Sequence, residues 1–444
     1  MWMIARREFI DHFKSARFVI GLVLALSASL AVALTGTQDY EQRLRDYHAA
    51  PEALKVDWIH PMAFHRPTPL SILARGDEVR LGSRVDITYR QMPVRPTSYS
   101  GEAGQDPFAN PEVLSVDFVF VVKVVLSLLV LFLMYDSVSG ENERGTLSLV
   151  LSASLRRSDF IAGKFLGGLI TSFVAVSLCG ALTLAVMAFS SSVELGGEHI
   201  VRIVAIFFAC FLSLGVYCAV SLLISAVTRR SSTALLVAIL VWVMSIGFLP
   251  SVSVQAARFL FPMPSQEEVH RRLAAAAESI GPQLRASQKA FSQAVRTNKV
   301  TSDLRLENHE LTVEAARLRW QVSREVLNRM SAQRRAAKLL MVSSPAGTLE
   351  LAAASLAGTD VEAIRHFLSA ARAFAVDFGR FIRSQITDRA NWSKDQMPGF
   401  KEHFEPFGDA MARTTWSLLV TVFIAAICFL AAQVVFSRYE VRPG

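Results

Sequence analysis

The stretch from Ile203 to Val227 reads IVAIFFACFLSLGVYCAVSLLISAV and contains no charged residue. A short polar connection follows, and the next uncharged run extends from Thr233 to Val252. A run of about 20 apolar residues has the length that an α-helix needs to cross the hydrocarbon core of a membrane. These two runs therefore predict two consecutive transmembrane helices.

Four other apolar runs have the same character, and the composition agrees with a membrane protein. Of the 444 residues, 52% are hydrophobic and 19% are charged, whereas charged residues make up about a quarter of an ordinary soluble domain. The sequence predicts an all-α integral membrane protein with six transmembrane helices, at 18–34, 113–135, 165–189, 203–227, 233–252 and 415–436.

The first run superficially resembles a signal peptide, with basic residues before it and Ala31-Val32-Ala33 as a possible cleavage site. However, the basic segment 1–17 is itself amphipathic, and the run reaches spanning length only if those alanines stay in the membrane. We expect an uncleaved first span preceded by an amphipathic helix at the membrane surface.

Lysine and arginine near the ends of the spans set the expected orientation, because cytoplasmic loops carry an excess of them. The basic residues of the second connection, the fourth connection and the tail 437–444 fall on the side of the N-terminus. The short connection Ser190–Glu198 has no lysine or arginine, as expected of the outer side. Both termini are predicted to be cytoplasmic. The net charge of +8 is interpreted as topological, with no nucleic-acid partner.

All four cysteines lie inside apolar runs, so no disulfide framework is expected.

Two long segments then lie outside the membrane, at 35–112 and 253–413. The first is mixed: a helical continuation covers Gln38–Ala50, and an alternating stretch, Val79–Tyr89, predicts a pair of strands.

The second outer segment is predicted to be mostly helical, with a projecting helical hairpin over Ser265–Val342. Gly281-Pro282 is expected to kink or break the first arm, and Ser302-Asp303 to cap the second. A shorter helix from Leu349 is expected to stop at Gly358, with a capping box at Thr359–Glu362 starting another.

Catalytic motifs give an informative negative result. The nearest match to an ATP-binding phosphate loop, Gly163-Lys164, is followed by Phe165 and lacks the earlier glycine. The zinc-protease, thioredoxin and serine-hydrolase patterns do not occur in the sequence either. We therefore expect a chain that is not an enzyme.

The second cytoplasmic connection, 136–164, carries the most distinctive pattern. Tyr135–Leu151 reads YDSVSGENERGTLSLVL, and Arg156–Lys164 reads RRSDFIAGK. This ordered series resembles the type-2 ABC export permeases, in which the corresponding loop is the coupling helix that docks onto a separate ATPase subunit. The resemblance assigns ATPase coupling to Glu141, Glu143, Arg144, Gly145, Thr146 and Leu147. The alternative from the residues alone is a solvated loop whose charges set topology.

The resemblance extends over most of the chain. Pro69–Gly76 (PLSILARG), Leu356–Asp360 (LAGTD) and Arg365–Leu368 (RHFL) are similar to a branch of these permeases with a large extracytoplasmic domain between the fifth and sixth spans. The resemblance implies residence in the bacterial cytoplasmic membrane and a second permease copy or related permease as partner. It also implies ABC ATPase subunits that bind ATP and Mg²⁺, with no cofactor held by this chain. Membrane lipid and an extracytoplasmic protein are further expected partners.

Two ionisable residues in the second span, Asp117 and Lys123, are candidates for a transport pathway or for structural pairing with each other. His60, Met62 and His65 are interpreted as loop packing in preference to a copper site, so no metal is expected. Gly163, Gly167 and Gly168 are predicted to allow close helix packing.

Two alternatives to export remain open. The outer hairpin of a mechanotransmitter would relay ATPase strokes to an outer partner without moving cargo. A receptor or scaffold is the third possibility, although the predicted cytoplasmic parts are only short loops and tails.

Overall fold

The computed structural model describes residues 1–54, 62–76, 84–86, 96–97, 116–147, 156–387, 400 and 405–438. Among these residues, six helical stretches are long and apolar enough to cross a membrane, and each contains one of the spans that we number one to six: Ala16–Ala49, Phe118–Glu143, Arg157–Phe189, Gly197–Val227, Ser231–Leu260 and Phe407–Ser437. The prediction of an all-α membrane protein with six spans is confirmed.

The chain begins with an amphipathic helix, α1 (Trp2–Lys14), and a turn at Ser15 leads directly into α2 (Ala16–Leu54). The Ser15 hydroxyl donates to the carbonyl oxygen of His12 and accepts from the backbone N–H of Phe18, so the turn satisfies backbone groups on both sides. Helix α2 continues well past the predicted first span, 18–34, which confirms the helical continuation predicted for Gln38–Ala50. We call the end of the bundle that carries α1 the α1 end, and the opposite one the far end.

The second and fifth spans each contain a π-helical turn. The second span consists of α3 (Phe118–Val121), a π turn (Val122–Leu126) and α4 (Ser127–Met134), and a short helix, α5 (Ser139–Glu143), follows it. The fifth span consists of α8 (Ser231–Val243), a π turn (Met244–Phe248) and α9 (Leu249–Leu260). The third, fourth and sixth spans are α6 (Arg157–Phe189), α7 (Gly197–Val227) and α14 (Phe407–Ser437).

After the fifth span, α10 (Gln266–Arg296) and α11 (Ser302–Met341) pack against each other as the predicted helical hairpin. Ile280 and Ala315 are buried, and α11 also packs against α9. Helix α10 continues through Pro282, so of the predicted kink or break, a break does not occur. The cap of α11 is Thr301, whose hydroxyl accepts from the backbone N–H of Leu304, in place of the predicted Ser302-Asp303.

Helix α12 (Pro345–Ala357) lies among the spans. Its N-cap Ser344 donates its hydroxyl to the carbonyl oxygen of Ser245 in the fifth span. The Ser213 hydroxyl of the fourth span donates to the Pro345 carbonyl oxygen at 3.4 Å. The Thr421 hydroxyl of the sixth span donates to the Thr348 hydroxyl of α12 at 3.2 Å.

Since Ser213, Ser245 and Thr421 each lie near the middle of their spans, α12 begins level with the centre of the bundle. Its small buried residues, including Ala346, Gly347 and Ala352–Ala354, permit this close packing. The segment 253–413, predicted to lie outside the membrane, therefore contains a helix that packs between the spans.

Helix α12 ends at Gly358, whose φ of +71° is left-handed, as the sequence predicted. The next helix, α13 (Val361–Thr387), is capped by Asp360, which accepts from the backbone N–H of Ala363 at 3.0 Å. The predicted cap residue, Thr359, instead donates its hydroxyl to the Ala74 carbonyl oxygen at 2.8 Å and so joins α13 to the segment after the first span.

That segment contains a 3₁₀ turn (Pro69–Ile72) and a small antiparallel sheet in the order β1 (Met62–Phe64), β2 (Arg84–Asp86), β3 (Pro96–Thr97). Strand β2 falls inside the alternating stretch predicted for Val79–Tyr89, and the rest of that stretch lies outside the described residues.

Candidate coupling site at the α1 end of the bundle

The loop after the second span turns at Tyr135–Val138, forms α5 and turns again at Arg144-Gly145. Gly145 has a φ of +69°, a left-handed conformation that favours glycine. The residues from 143 to 146 are exposed, and we call them the loop tip. Glu141 is only partly exposed, and Leu147 is buried in the core at 1% exposure. Of the six predicted coupling residues, four therefore form the exposed loop tip, whereas Glu141 and Leu147 point towards the bundle.

Glu141 belongs to a buried ion cluster that unites three elements. Its Oε1 lies 2.8 Å from Nζ of Lys164 in the third span, and the same Nζ lies 3.0 Å from Oε2 of Glu8 in α1. The Lys164 side chain is only 3% exposed, and its ammonium lies 5.1 Å from the centroid of the Phe160 ring. A buried charge is tolerated when opposite charges and hydrogen bonds surround it. The two carboxylates meet this condition for Lys164.

Helix α1 reaches this cluster because two glycines of the third span let it approach closely. A Cβ on Gly163 would lie 2.8 Å from Cβ of Ile4, and a Cβ on Gly167 would lie 2.8 Å from Cβ of Glu8. Such distances are too short for real Cβ atoms, so both positions require glycine while α1 keeps its place. A Cβ on Gly168 would similarly meet Sδ of Met134 at 2.6 Å. The predicted close packing at all three glycines is confirmed.

His12 completes the cluster on the α1 side. Its Nε2 lies 3.7 Å from Oε1 of Glu8, and its Nδ1 lies 3.3 Å from the Thr171 hydroxyl. Burial lowers the pKa of His12 below its ordinary value of 6.5, although the Glu8 carboxylate acts in the opposite direction. His12 is therefore neutral at pH 7, and Lys164 is the cation that holds Glu8.

Glu143 connects the loop tip to the fifth span. Its carboxylate accepts the backbone N–H of Ser231 at 3.0 Å and the Ser231 hydroxyl at 2.6 Å. Ser231 is the first residue of the fifth span, where unpaired backbone N–H groups favour an anion. Glu143 therefore links the loop tip to the first turn of that helix.

Two more contacts fix the base of the loop. The Ser225 hydroxyl of the fourth span accepts the backbone N–H groups of Val138 and Ser139 at 2.9 and 3.1 Å. At the start of the first span, an Arg17 nitrogen lies 3.0 Å from Oδ2 of Asp136. The loop is thus attached to the first, third, fourth and fifth spans as well as to α1.

Sequence reasoning identified Glu141 and Glu143 but not their partners. Lys164 was interpreted as a topological charge, and Glu8 was not singled out. A signal in the sequence was the pair Gly163 and Gly167 on either side of Lys164. Glycines that allow α1 to approach the third span also bring the polar side chains of α1 close to Lys164.

Comparison with known proteins identifies the family of the chain. The model of the ABC-2 family transporter proteins matches residues 2–441. The chain belongs to this family. It is similar to the "Probable ABC transporter permease protein NosY" of Pseudomonas aeruginosa, with 36% identity over 93 residues, 21% of this chain and 34% of that relative.

A protein of the same name from Stutzerimonas stutzeri is 40% identical over 73 residues, 16% of this chain and 26% of the relative. The chain matches about a third or less of the length of these curated relatives.

At the far end of this ABC-2 protein, the two predicted pathway candidates have separate partners. Asp117 caps the second span, accepting the backbone N–H of Phe120 at 2.7 Å and that of Arg75 at 2.9 Å. Lys123 pairs with Glu350 of α12, with Nζ 2.7 Å from Oε2, and not with Asp117. Sequence reasoning missed Glu350 because it lies in a segment predicted to be outside the membrane.

In the part of this ABC-2 chain that the structure describes, no group of three His, Cys, Asp or Glu residues is arranged to hold a metal ion. His65 is buried with its ring 5.1 Å from that of Phe367, which agrees with loop packing. His60 lies outside the described residues.

Proposed function

We propose that this chain is the membrane-spanning permease subunit of an ABC exporter, driven by separate ATPase subunits that dock on the loop tip. The observation that carries the proposal is the Lys164 cluster, which ties Glu141 beneath the tip to the third span and to Glu8 of α1. Membership of the ABC-2 family and the permease names of the similar proteins support the same role.

The proposal places the α1 end in the cytoplasm. The described basic residues at this end include Arg17, Arg144, Arg157, Lys164 and Arg230, and such residues accumulate on the cytoplasmic side. Both termini are then inside, and the hairpin α10–α11 is outside.

The ion pairs around the loop differ in the free energy needed to separate them. The Arg17–Asp136 pair is half exposed on the arginine side, and exposed pairs contribute about 0–1 kcal/mol. Separating Lys164 from its carboxylates would leave buried charge uncompensated, which costs about 3–5 kcal/mol. An ATPase stroke on the tip would therefore carry α1 and the third span with the loop, while Glu143 moves the fifth span through Ser231.

ATP and Mg²⁺ would bind to the partner ATPase subunits. A second copy of this chain or a related permease would complete the transporter in a bacterial cytoplasmic membrane.

Mechanical relay to an outer partner is the second candidate, and one observation favours it. The hairpin is attached to the fifth span through the packing of α11 on α9, and the Gln333 side-chain amide donates to the Phe261 carbonyl oxygen at 3.0 Å. Movement of the fifth span would therefore reach the hairpin without cargo crossing the membrane.

The proposal is tested by purifying the tagged chain from its native host in mild detergent and assaying ATPase activity and bound proteins. We expect an ABC ATPase to co-purify with the unmodified chain, to be lost with Arg144→Glu in the loop tip, and to be retained with Arg271→Glu, the same charge change on an exposed residue of the hairpin. Absence of an ATPase from the unmodified chain, or equal recovery with both variants, would contradict docking at the tip.

A further inference from the structure

Glu350 is the most exposed residue of α12; every other residue from Ser344 to Ala357 is buried or partly buried. Its side chain is 48% exposed and its carboxylate pairs with Lys123, whose side chain is 17% exposed. Two residues earlier, Thr348 bonds to Thr421 in the middle of the sixth span. The exposed carboxylate therefore lies at the level of the spans.

An ionised side chain at this depth is costly if it faces lipid. Translocation scales assign about 2.5–3.5 kcal/mol to a charged residue at the centre of a transmembrane helix, and such residues normally face water or protein. Lys123 offsets part of this cost on one side of Glu350. The exposed half of the carboxylate still requires a polar surrounding.

Both π turns of the structure contact α12. Lys123 belongs to the π turn of the second span, and Ser245, which accepts from the N-cap Ser344, belongs to that of the fifth. The indole N–H of Trp242 donates to the Ser127 hydroxyl at 2.9 Å, which holds these two spans together beside α12. π-helical turns are rare and often occur at functional sites.

We propose that the Lys123–Glu350 pair lines a water-filled path through the far half of the bundle, and that separation of the pair opens this path by releasing α12 from the second span. The inference rests on the proposed permease function and adds the location of the transport path. A wall with an ammonium and a carboxylate suits polar or ionised cargo, because an apolar cargo gains nothing by leaving lipid for it.

Water contact at Glu350 can be measured by cysteine labelling of the full chain in membranes with a charged, membrane-impermeant methanethiosulfonate. The reagent reacts with the thiolate, which forms in water and not in lipid. Phe423→Cys is the matched control, because Phe423 is 65% exposed on the sixth span, close in sequence to Thr421 and so at the level of α12. The unmodified chain gives the background from its own four cysteines.

We expect Glu350→Cys to react at least about tenfold faster than Phe423→Cys when the reagent is added from the far side, since only the first thiol would be ionised in water. Equally slow reaction of both cysteines would place Glu350 against lipid or a second chain, and would overturn the proposal.

The opening step is tested with a reporter cysteine at Ser343, an exposed residue just before the deep end of α12. We expect Lys123→Gln to increase its labelling rate several-fold, and the exchange Lys123→Glu with Glu350→Lys to restore the original rate. Equal rates in all three backgrounds would refute the role of the pair in closure. These measurements need no ATPase, so they remain interpretable if docking at the loop tip fails, and the docking test is equally independent of them.

Discussion

Replacing Lys164 with methionine tests the buried cluster most directly. Methionine keeps an unbranched apolar stem but removes the cation, so Glu8 and Glu141 lose the ammonium that lies 3.0 and 2.8 Å away. Removing one member of a buried ion pair costs about 3–5 kcal/mol. Because the two carboxylates are 13% and 23% exposed, they regain some hydration. We therefore expect the lower end, about 3 kcal/mol.

A loss of about 3 kcal/mol corresponds to a more than hundredfold change in an equilibrium constant. Thermal unfolding of the purified chain in lipid nanodiscs should show a Tm lowered by several degrees, since 1 kcal/mol shifts Tm by about 2–4 °C in proteins of 150–250 residues and by less in longer ones. Limited trypsin digestion should also cleave faster after Lys14, because release of α1 exposes the turn at Ser15.

The matched control removes all three charges together, with Lys164→Met, Glu8→Gln and Glu141→Gln. Replacing a whole buried ion cluster by neutral groups of similar volume is often neutral or stabilising, so this triple variant should recover most of the lost Tm. A single substitution that costs less than about 1 kcal/mol would show that the cluster behaves like an exposed surface pair. A triple variant no more stable than Lys164→Met would show that packing, and not charge, is responsible.

Three other outcomes are expected. Gly167→Ala should displace α1 and accelerate trypsin cleavage, whereas Gly197→Ala, whose Cβ would meet nothing within 4 Å, should not; equal digestion would contradict the close approach. Gly76→Ala should lower stability by about 1 kcal/mol or more, measured as Tm, since Gly76 has a φ of +52° and its Cβ would lie 2.4 Å from the Thr359 hydroxyl. Because the pKa of His12 is lowered in the folded chain, its neutral form contributes stability above its ordinary pKa of 6.5, and this stability is lost as the pH falls through the lowered pKa. The Tm should therefore fall on acidification, and it should fall less steeply in His12→Gln.

The spans were predictable because hydropathy and length act locally. An uncharged run such as Ile203–Val227 must satisfy its own backbone hydrogen bonds in lipid, and only a helix does so within one segment. The same reasoning placed the hairpin α10–α11, whose amphipathic faces repeat with helical periodicity. One error concerned the start of α11, where the cap is Thr301 in place of the predicted Ser302-Asp303, because neighbouring residues offer alternatives that a motif does not distinguish.

The position of α12 was not predictable by the same means. With 13 residues it is too short to span a membrane, and its alanines are equally typical of a helix in a soluble domain. Its place among the spans depends on hydroxyl contacts to Ser213, Ser245 and Thr421, each in a different helix. Such contacts are non-local, so no periodicity records them. Consequently Glu350, the partner of Lys123, was also missed.

The second and fifth spans unite the two sites. At the α1 end, the second span leads into the loop tip, and Glu143 of that tip caps the fifth span at Ser231. Towards the far end, the π turns of these same two spans hold α12, one through Lys123 and the other through Ser245. Coupling between distant sites requires an element with two arrangements that both sites bias. In the proposed permease, movement of the tip would therefore act on the two spans that hold α12, and their π turns, which often occur at functional sites, are the positions where those spans contact it.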